Sequence, residues 1–175
     1  MSPESSDRRL FVALWPDAEL AVAVAEAVGA ARRSCRPLPR EKLHLTLAFV
    51  GRLPEARLDD CIAALGRIRR PAFELRLERF GHWARHGVLW LGPEEASPEC
   101  GALAGAIGES LVEADIPFDR RRFRAHLTVA RNCRKPALPR LVAPLRWAVN
   151  DFRLVESKLS SSGSEYICLR EWALG

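Results

Sequence analysis

Apolar positions along the chain fall into short runs whose period switches between that of a strand and that of a helix. Arg9–Trp15 (RLFVALW) is an apolar run stopped by Pro16, which predicts a buried strand. Leu20, Val24, Ala27, Val28 and Ala31 then recur at helical spacing behind Asp17, a suitable cap. Arg36–Arg40, with Pro37 and Pro39, is a connector, and Lys42–Val50 alternates as a strand that Gly51 should end. A second helix is predicted over Pro54–Ile68, with Leu58, Cys61, Ile62, Leu65 and Ile68 along one side. Phe73–Phe80 and Gly87–Leu91 are predicted strands, Pro98–Ala114 a third helix, and Phe123–Arg131, Arg146–Leu159 and Tyr166–Trp172 further strands. Ser160–Ser164 is the turn before the last of them.

The order β-α-β-α-β-β-α-β-β-β predicts an α+β fold. It suggests two pseudo-symmetric lobes, each an antiparallel sheet with helices on one side, and a cleft between them. No stretch has the composition of a flexible linker, so the lobes should pack together as one domain over 1–175, with residues 1–8 as a disordered tail.

Composition narrows the class. The 175 residues are 48% hydrophobic and 28% charged, with 11 Gly and 12 Pro scattered rather than periodic, which excludes bulk disorder and collagen-like repeats. No apolar run approaches the roughly 20 residues that span a bilayer, and the polar start Met1–Arg9 lacks the order of a signal peptide, so a monomeric cytosolic protein is expected. The five cysteines (Cys35, Cys61, Cys100, Cys133, Cys168) are far apart, and buried or half-buried thiols in a reducing compartment are the expectation for all of them. The net charge of +5 is concentrated: Asp119–Lys135 holds seven cations (Arg120, Arg121, Arg122, Arg124, Arg131, Arg134, Lys135) against one anion. Such a field attracts phosphates, although a solvated basic loop would have the same composition.

The candidate chemistry lies in the only two threonines. Thr46 and Thr128 each follow a histidine by two residues, in HLTLA (His44–Ala48) and HLTVA (His126–Ala130), 82 residues apart. In a strand, positions i and i+2 share a face. His44, Thr46 and Ala48 should therefore line one face and Leu43, Leu45, Leu47 and Phe49 the other, with the same division in the second motif. The alanines would leave room on the cleft floor. One imidazole can act as base while the other acts as acid, and the hydroxyls can donate to phosphate oxygens. No HExxH, carboxylate cluster or cysteine at ligand spacing accompanies either motif, so the chemistry requires neither metal nor cofactor.

These paired motifs resemble those of the two-histidine phosphoesterase superfamily, and within it the bacterial RNA 2′,3′-cyclic phosphodiesterases, also called 2′-5′ RNA ligases. The similarity takes in RLFVAL, KLHLTLAFVG, GHWARHGVLWLG, HLTVAR and REWAL, nearly the whole chain. It implies metal-free opening of an RNA 2′,3′-cyclic phosphate to a 2′-phosphate, with 2′-5′ joining as the reverse reaction and RNA ends, tRNA fragments among them, as partners. By resemblance, His44 is the proton donor to the leaving ribose oxygen and His126 the acceptor that activates water. Thr46, Thr128 and Arg131 hold the phosphate; it is the charge cluster, not the resemblance, that assigns Arg121, Arg122 and Arg124 to the RNA backbone. The family's usual proline before the second histidine is here Ala125. Strict alternation puts Arg131 on the face opposite His126, so it can serve only if the strand ends or bulges near Ala130.

Other residues have competing readings. His82 and His86 would pair for metal on a helix, but between Gly81 and Gly87 a hairpin fits better. Trp83 and Trp90 could stack bases, with core or hairpin packing the stronger expectation; Phe11 and Trp15 are expected in the core. Neither GxxxxGK[ST] nor KxDG occurs, which disfavours an ATP-dependent ligase. The alternatives to the hydrolase are a phosphodiesterase for 2′-5′ oligonucleotides or nucleotide cyclic phosphates, and a non-catalytic RNA-binding module.

Overall fold

The computed structural model describes residues 7–161 and 163–175. Among the described residues, ten strands and three α-helices follow one another as β1 (Asp7–Leu14), α1 (Ala18–Ala27), β2 (Arg36–Pro37), β3 (Leu45–Pro54), α2 (Leu58–Leu65), β4 (Phe73–Leu77), β5 (Arg79–Trp83), β6 (Val88–Gly92), α3 (Pro98–Glu113), β7 (Leu127–Arg131), β8 (Leu145–Val149), β9 (Asp151–Ser160) and β10 (Gly163–Ala173). Short 3₁₀ turns precede β2, β3 and α2. Two four-stranded antiparallel sheets result, one in the order β10-β9-β1-β3 and the other β2-β7-β6-β5, with β4 and β8 paired as a two-stranded ribbon.

The sheets are not consecutive halves of the chain. The first unites the N-terminal strands with the C-terminal hairpin, and β2 crosses over to pair with β7. The two long strands predicted over Phe73–Phe80 and Arg146–Leu159 each divide, at Glu78 and at Asn150. Their first parts, β4 and β8, pair with each other, while β5 continues into the second sheet and β9 into the first. The ribbon thus couples the sheets. One apolar core passes through both, from Leu10, Val12 and Leu45 to Leu89, Leu127 and Phe152.

Side-chain caps begin α1 and α3. Asp17 accepts from Leu20 N at 2.8 Å and Ser97 from Cys100 N at 3.3 Å. Strand β3 runs through Gly51 rather than ending there, because Gly51 takes φ +80 at a register shift against β1.

Two residues of the tail expected over 1–8 lie in strand β1 instead. Asp7 and Arg8 pair with Pro54 and Leu53 in β1, and the Arg8 guanidinium bonds both Glu55 and the buried Glu156. The rest of that expectation, residues 1–6, lies outside the described residues, as does Ser162 of the predicted turn.

The cysteine expectation also changes. Cys35 and Cys133 form a disulfide across 98 residues of sequence, because the β2–β7 pairing sets their Cα atoms 4.1 Å apart. Cys61 and Cys100 are buried thiols, pushed by desolvation up to about 11 and about 12, and Cys168 is exposed. Among the described residues no helix is long and apolar enough to cross a membrane.

Candidate active site

Both histidines stand one residue before a strand begins, and the same bond holds each. His44 Nδ1 lies 2.8 Å from the Lys42 carbonyl, and His126 Nδ1 lies 2.7 Å from the Arg124 carbonyl. A carbonyl can only accept, so Nδ1 carries the proton in both rings and Nε2 is left for proton exchange.

Beyond the histidines, the strands depart from strict alternation in the same way. In β3, Thr46 faces Ala13 and Ala48 faces Val12, so Leu47 is an extra residue. In β7, Thr128 faces Trp90 and Ala130 faces Leu89, so Val129 is extra. Each bulge directly follows the threonine. Residues on either side of a bulge lose the period of two. Ala48 and Ala130, expected on the cleft floor, are therefore turned into the apolar core, at 7% and 0% exposure. After the second bulge Arg131 returns to the face of His126 and Thr128, and the three line one groove. After the first, the same place is taken by Phe49, which pairs with Phe11 and carries Arg9 over its ring.

The surroundings of the two imidazoles differ. Trp15 stacks on His44 with centroids 5.0 Å apart, Phe11 is tilted against it at 5.0 Å, and Tyr166 meets it edge-on at 5.1 Å. Phe11 and Trp15 thus serve as the wall around His44, in a small apolar cluster with Ala13 and Val155 that is separate from the main core. Tyr166 was not visible as a candidate; only the β10-β9-β1 pairing brings it there. Around His126 the contact is Trp83, at 4.6 Å and 68°. Trp90 is buried, as expected, whereas Trp83 is half-exposed beside the imidazole.

Burial lowers the pKa of both histidines below the ordinary value, since desolvation penalises the imidazolium. The positive charge of Arg131 lowers both further, and His126 acts on His44 in the same sense. Arg131 therefore senses the two motifs together. Arg124 also lowers His126.

The remaining candidates spread over two grooves that meet at Trp83 and His126. Arg122 and Arg124 line one, beside Glu94 and Glu95; Arg121 lines the other, its guanidinium bonded to Asp119. His82 and His86 lie on the β5–β6 hairpin, His86 in its turn. Among the described residues no group of three His, Cys, Asp or Glu side chains is placed to hold a metal ion.

A family model described as the 2′-5′ RNA ligase superfamily matches residues 16–160. The chain belongs to this superfamily. A relative from Thermus thermophilus, named RNA 2′,3′-cyclic phosphodiesterase, is 34% identical over 95% of this chain and 90% of its own. One of the same name from Escherichia coli is 30% identical over 97% of this chain and 98% of its own. In structure, E. coli LigT complexed with 3′-AMP superposes with a TM-score of 0.87 at 28% identity, covering 97% of this chain and 99% of that one.

Proposed function

We propose that the chain hydrolyses RNA 2′,3′-cyclic phosphate ends to 2′-phosphates, with His44 as general acid and His126 as general base and without a metal ion. The observation that carries this reading is the matched pair of histidines, each with Nδ1 fixed by a carbonyl two residues upstream and with Arg131 acting on both. Relatives named for this activity over nearly their full length support it.

In the proposed step a water oxygen attacks phosphorus in line with the P–O3′ bond. His126 Nε2 takes the water proton as the new P–O bond forms. The P–O3′ bond breaks, and O3′ takes the proton from Nε2 of His44. The phosphate stays on O2′. Thr46 and Thr128 donate to the non-bridging oxygens, and Arg131 balances the charge that builds there. Arg121, Arg122 and Arg124 meet RNA phosphates outside the reacting centre. Because both imidazoles have lowered pKa values, His126 is ready as a base near neutrality, and an arriving phosphate anion favours the protonated form of His44. The same reading places a monomer in the cytosol, with tRNA fragments among its RNA ends.

The test is incubation with RNA ending in a 2′,3′-cyclic phosphate, in the presence of EDTA, followed by location of the product phosphate. The expected product is a 2′-phosphate. A 3′-phosphate, or activity lost to EDTA and restored by zinc or manganese, would contradict the proposal.

A further inference from the structure

Two adjacent arginines near the start of β1 differ in what they meet. Arg8 is neutralised by Glu55 and Glu156. Arg9 has no ion-pair partner among the described residues; its guanidinium lies over the Phe49 ring, 5.3 Å from the centroid. Across the β1–β3 pairing Arg9 stands directly opposite Arg52, which among the described residues has no ion-pair partner either, and both are exposed. Directly opposed residues of an antiparallel pair share a sheet face, and like charges there repel.

That face is the one that carries the first motif. Both extra residues of the pairing, Val50 and Leu47, are in β3, so β1 alternates without interruption and Arg9, Phe11 and Ala13 share a face. Phe49 stands opposite Phe11, and Thr46 opposite Ala13. The Arg9 guanidinium over Phe49 is therefore about two residues, or roughly 7 Å, along the sheet from the level of Thr46, the span of one nucleotide of RNA backbone. Asp119, whose N–H bonds the Phe49 carbonyl at 2.8 Å, has its carboxylate on Arg121, and Asp7 stands at the outer end of the face.

The direction of the RNA chain follows from the acid and base roles proposed above, and the inference rests on that reading. With O3′ leaving toward His44, the terminal ribose lies on the His44 side, and its 5′ oxygen leads to the next phosphate over the first sheet. Toward Tyr166 that phosphate would meet Glu41 and Glu165 against Lys42. Past Phe49 it meets two guanidiniums.

We propose that Arg9 and Arg52 bind the internucleotide phosphate on the 5′ side of the terminal nucleotide. One anion between the guanidiniums removes their repulsion and accepts charge-assisted hydrogen bonds from both, while the Phe49 ring supports Arg9 from below. The pair touches none of the reacting atoms. It selects an RNA chain over a mononucleoside cyclic phosphate, which lacks that phosphate.

The experiment gives the full chain three substrates: a mononucleoside 2′,3′-cyclic phosphate, a 5′-hydroxyl dinucleotide with the same end, and that dinucleotide with an uncharged methylphosphonate as its internucleotide link. The wild type should hydrolyse the charged dinucleotide with a kcat/KM about tenfold or more above the other two, a comparison that needs no variant. Arg9→Gln combined with Arg52→Gln should bring the charged dinucleotide down to the level of the methylphosphonate, chiefly through KM, and leave the other two substrates within about twofold. Arg9→Lys combined with Arg52→Lys should keep most of the preference. Three results would overturn the inference while leaving the hydrolase reading intact: a wild type indifferent to the charge of the link, a double glutamine variant that still prefers the charged link, or equal losses on all three substrates. Failure of the wild type to open any of the cyclic phosphates would overturn the hydrolase reading, and this inference with it.

Discussion

His44 and His126 are fixed by the same bond, from Nδ1 to the carbonyl two residues upstream, at 2.8 and 2.7 Å. Two imidazoles held in one tautomer on separate sheets can exchange protons only through Nε2. Their environments then separate them: three aromatic rings enclose His44, while arginines and Trp83 surround His126. Local geometry is shared and the electrostatic setting is not, as a pair acting once as acid and once as base requires.

Both histidine pKa values are lowered by burial and then by Arg131. The kcat/KM profile, which reports the free enzyme, should be a bell centred below about 6.5. Its limbs belong to the coupled pair rather than to either ring. Arg131→Gln should lower activity and move both limbs to higher pH, since it removes a charge that opposes protonation of both rings. An unchanged pH profile would show that Arg131 acts at a distance from the pair. Stability should decline as pH falls below about 6.5, because the unfolded chain takes up protons before the folded one does.

The Cys35–Cys133 disulfide leaves Cys61, Cys100 and Cys168 as thiols. Thiol titration of the protein denatured without reductant should find three groups, and five after reduction. Five groups before reduction would show that the sulfurs are juxtaposed without being joined.

Arg8 bonds Glu156, whose side chain is 9% exposed, at 3.0 Å. Arg8→Ala leaves that carboxylate enclosed without its cation and should cost about 1–3 kcal/mol, read from urea unfolding. In Glu156→Gln the same change should cost much less. Equal losses in both backgrounds would assign the effect of Arg8 to Glu55 or to the strand itself.

Much of this site was legible from residue order, because what locates it is local. The His-x-Thr spacing puts both side chains on one strand face up to each threonine, and Asp17 caps its helix as the pattern suggested. What the order hid depends on pairing. Leu47 and Val129 become extra residues only opposite Val12 and Leu89, so the inward turn of Ala48 and Ala130 could not be foreseen. For Arg131 alternation could only set a condition, a bulge near Ala130, and it is the register of β6 against β7 that meets it. The changes of sheet at Glu78 and Asn150 and the Cys35–Cys133 bridge have the same origin: each is decided by a strand distant in sequence.

Ala125 precedes His126 in a segment with no regular secondary structure. Ala125→Pro should be tolerated and should raise stability by about 0.4–1 kcal/mol through the unfolded chain. Thermal unfolding would measure it. A loss above about 1 kcal/mol would show that the Ala125 N–H or its backbone angle is needed in the native state.

The division of labour between the histidines is tested most directly by changing the leaving group. A ribose oxygen needs a proton as its bond breaks, whereas a nitrophenolate does not. His44→Ala should slow the RNA cyclic phosphate by roughly 10²–10⁴ and slow a nitrophenyl phosphodiester bound in line far less. His126→Ala should slow both, because water must be activated in either case. The reverse pattern, with the activated ester rescuing His126→Ala and not His44→Ala, would exchange the two roles. Little loss in either variant would contradict the site itself.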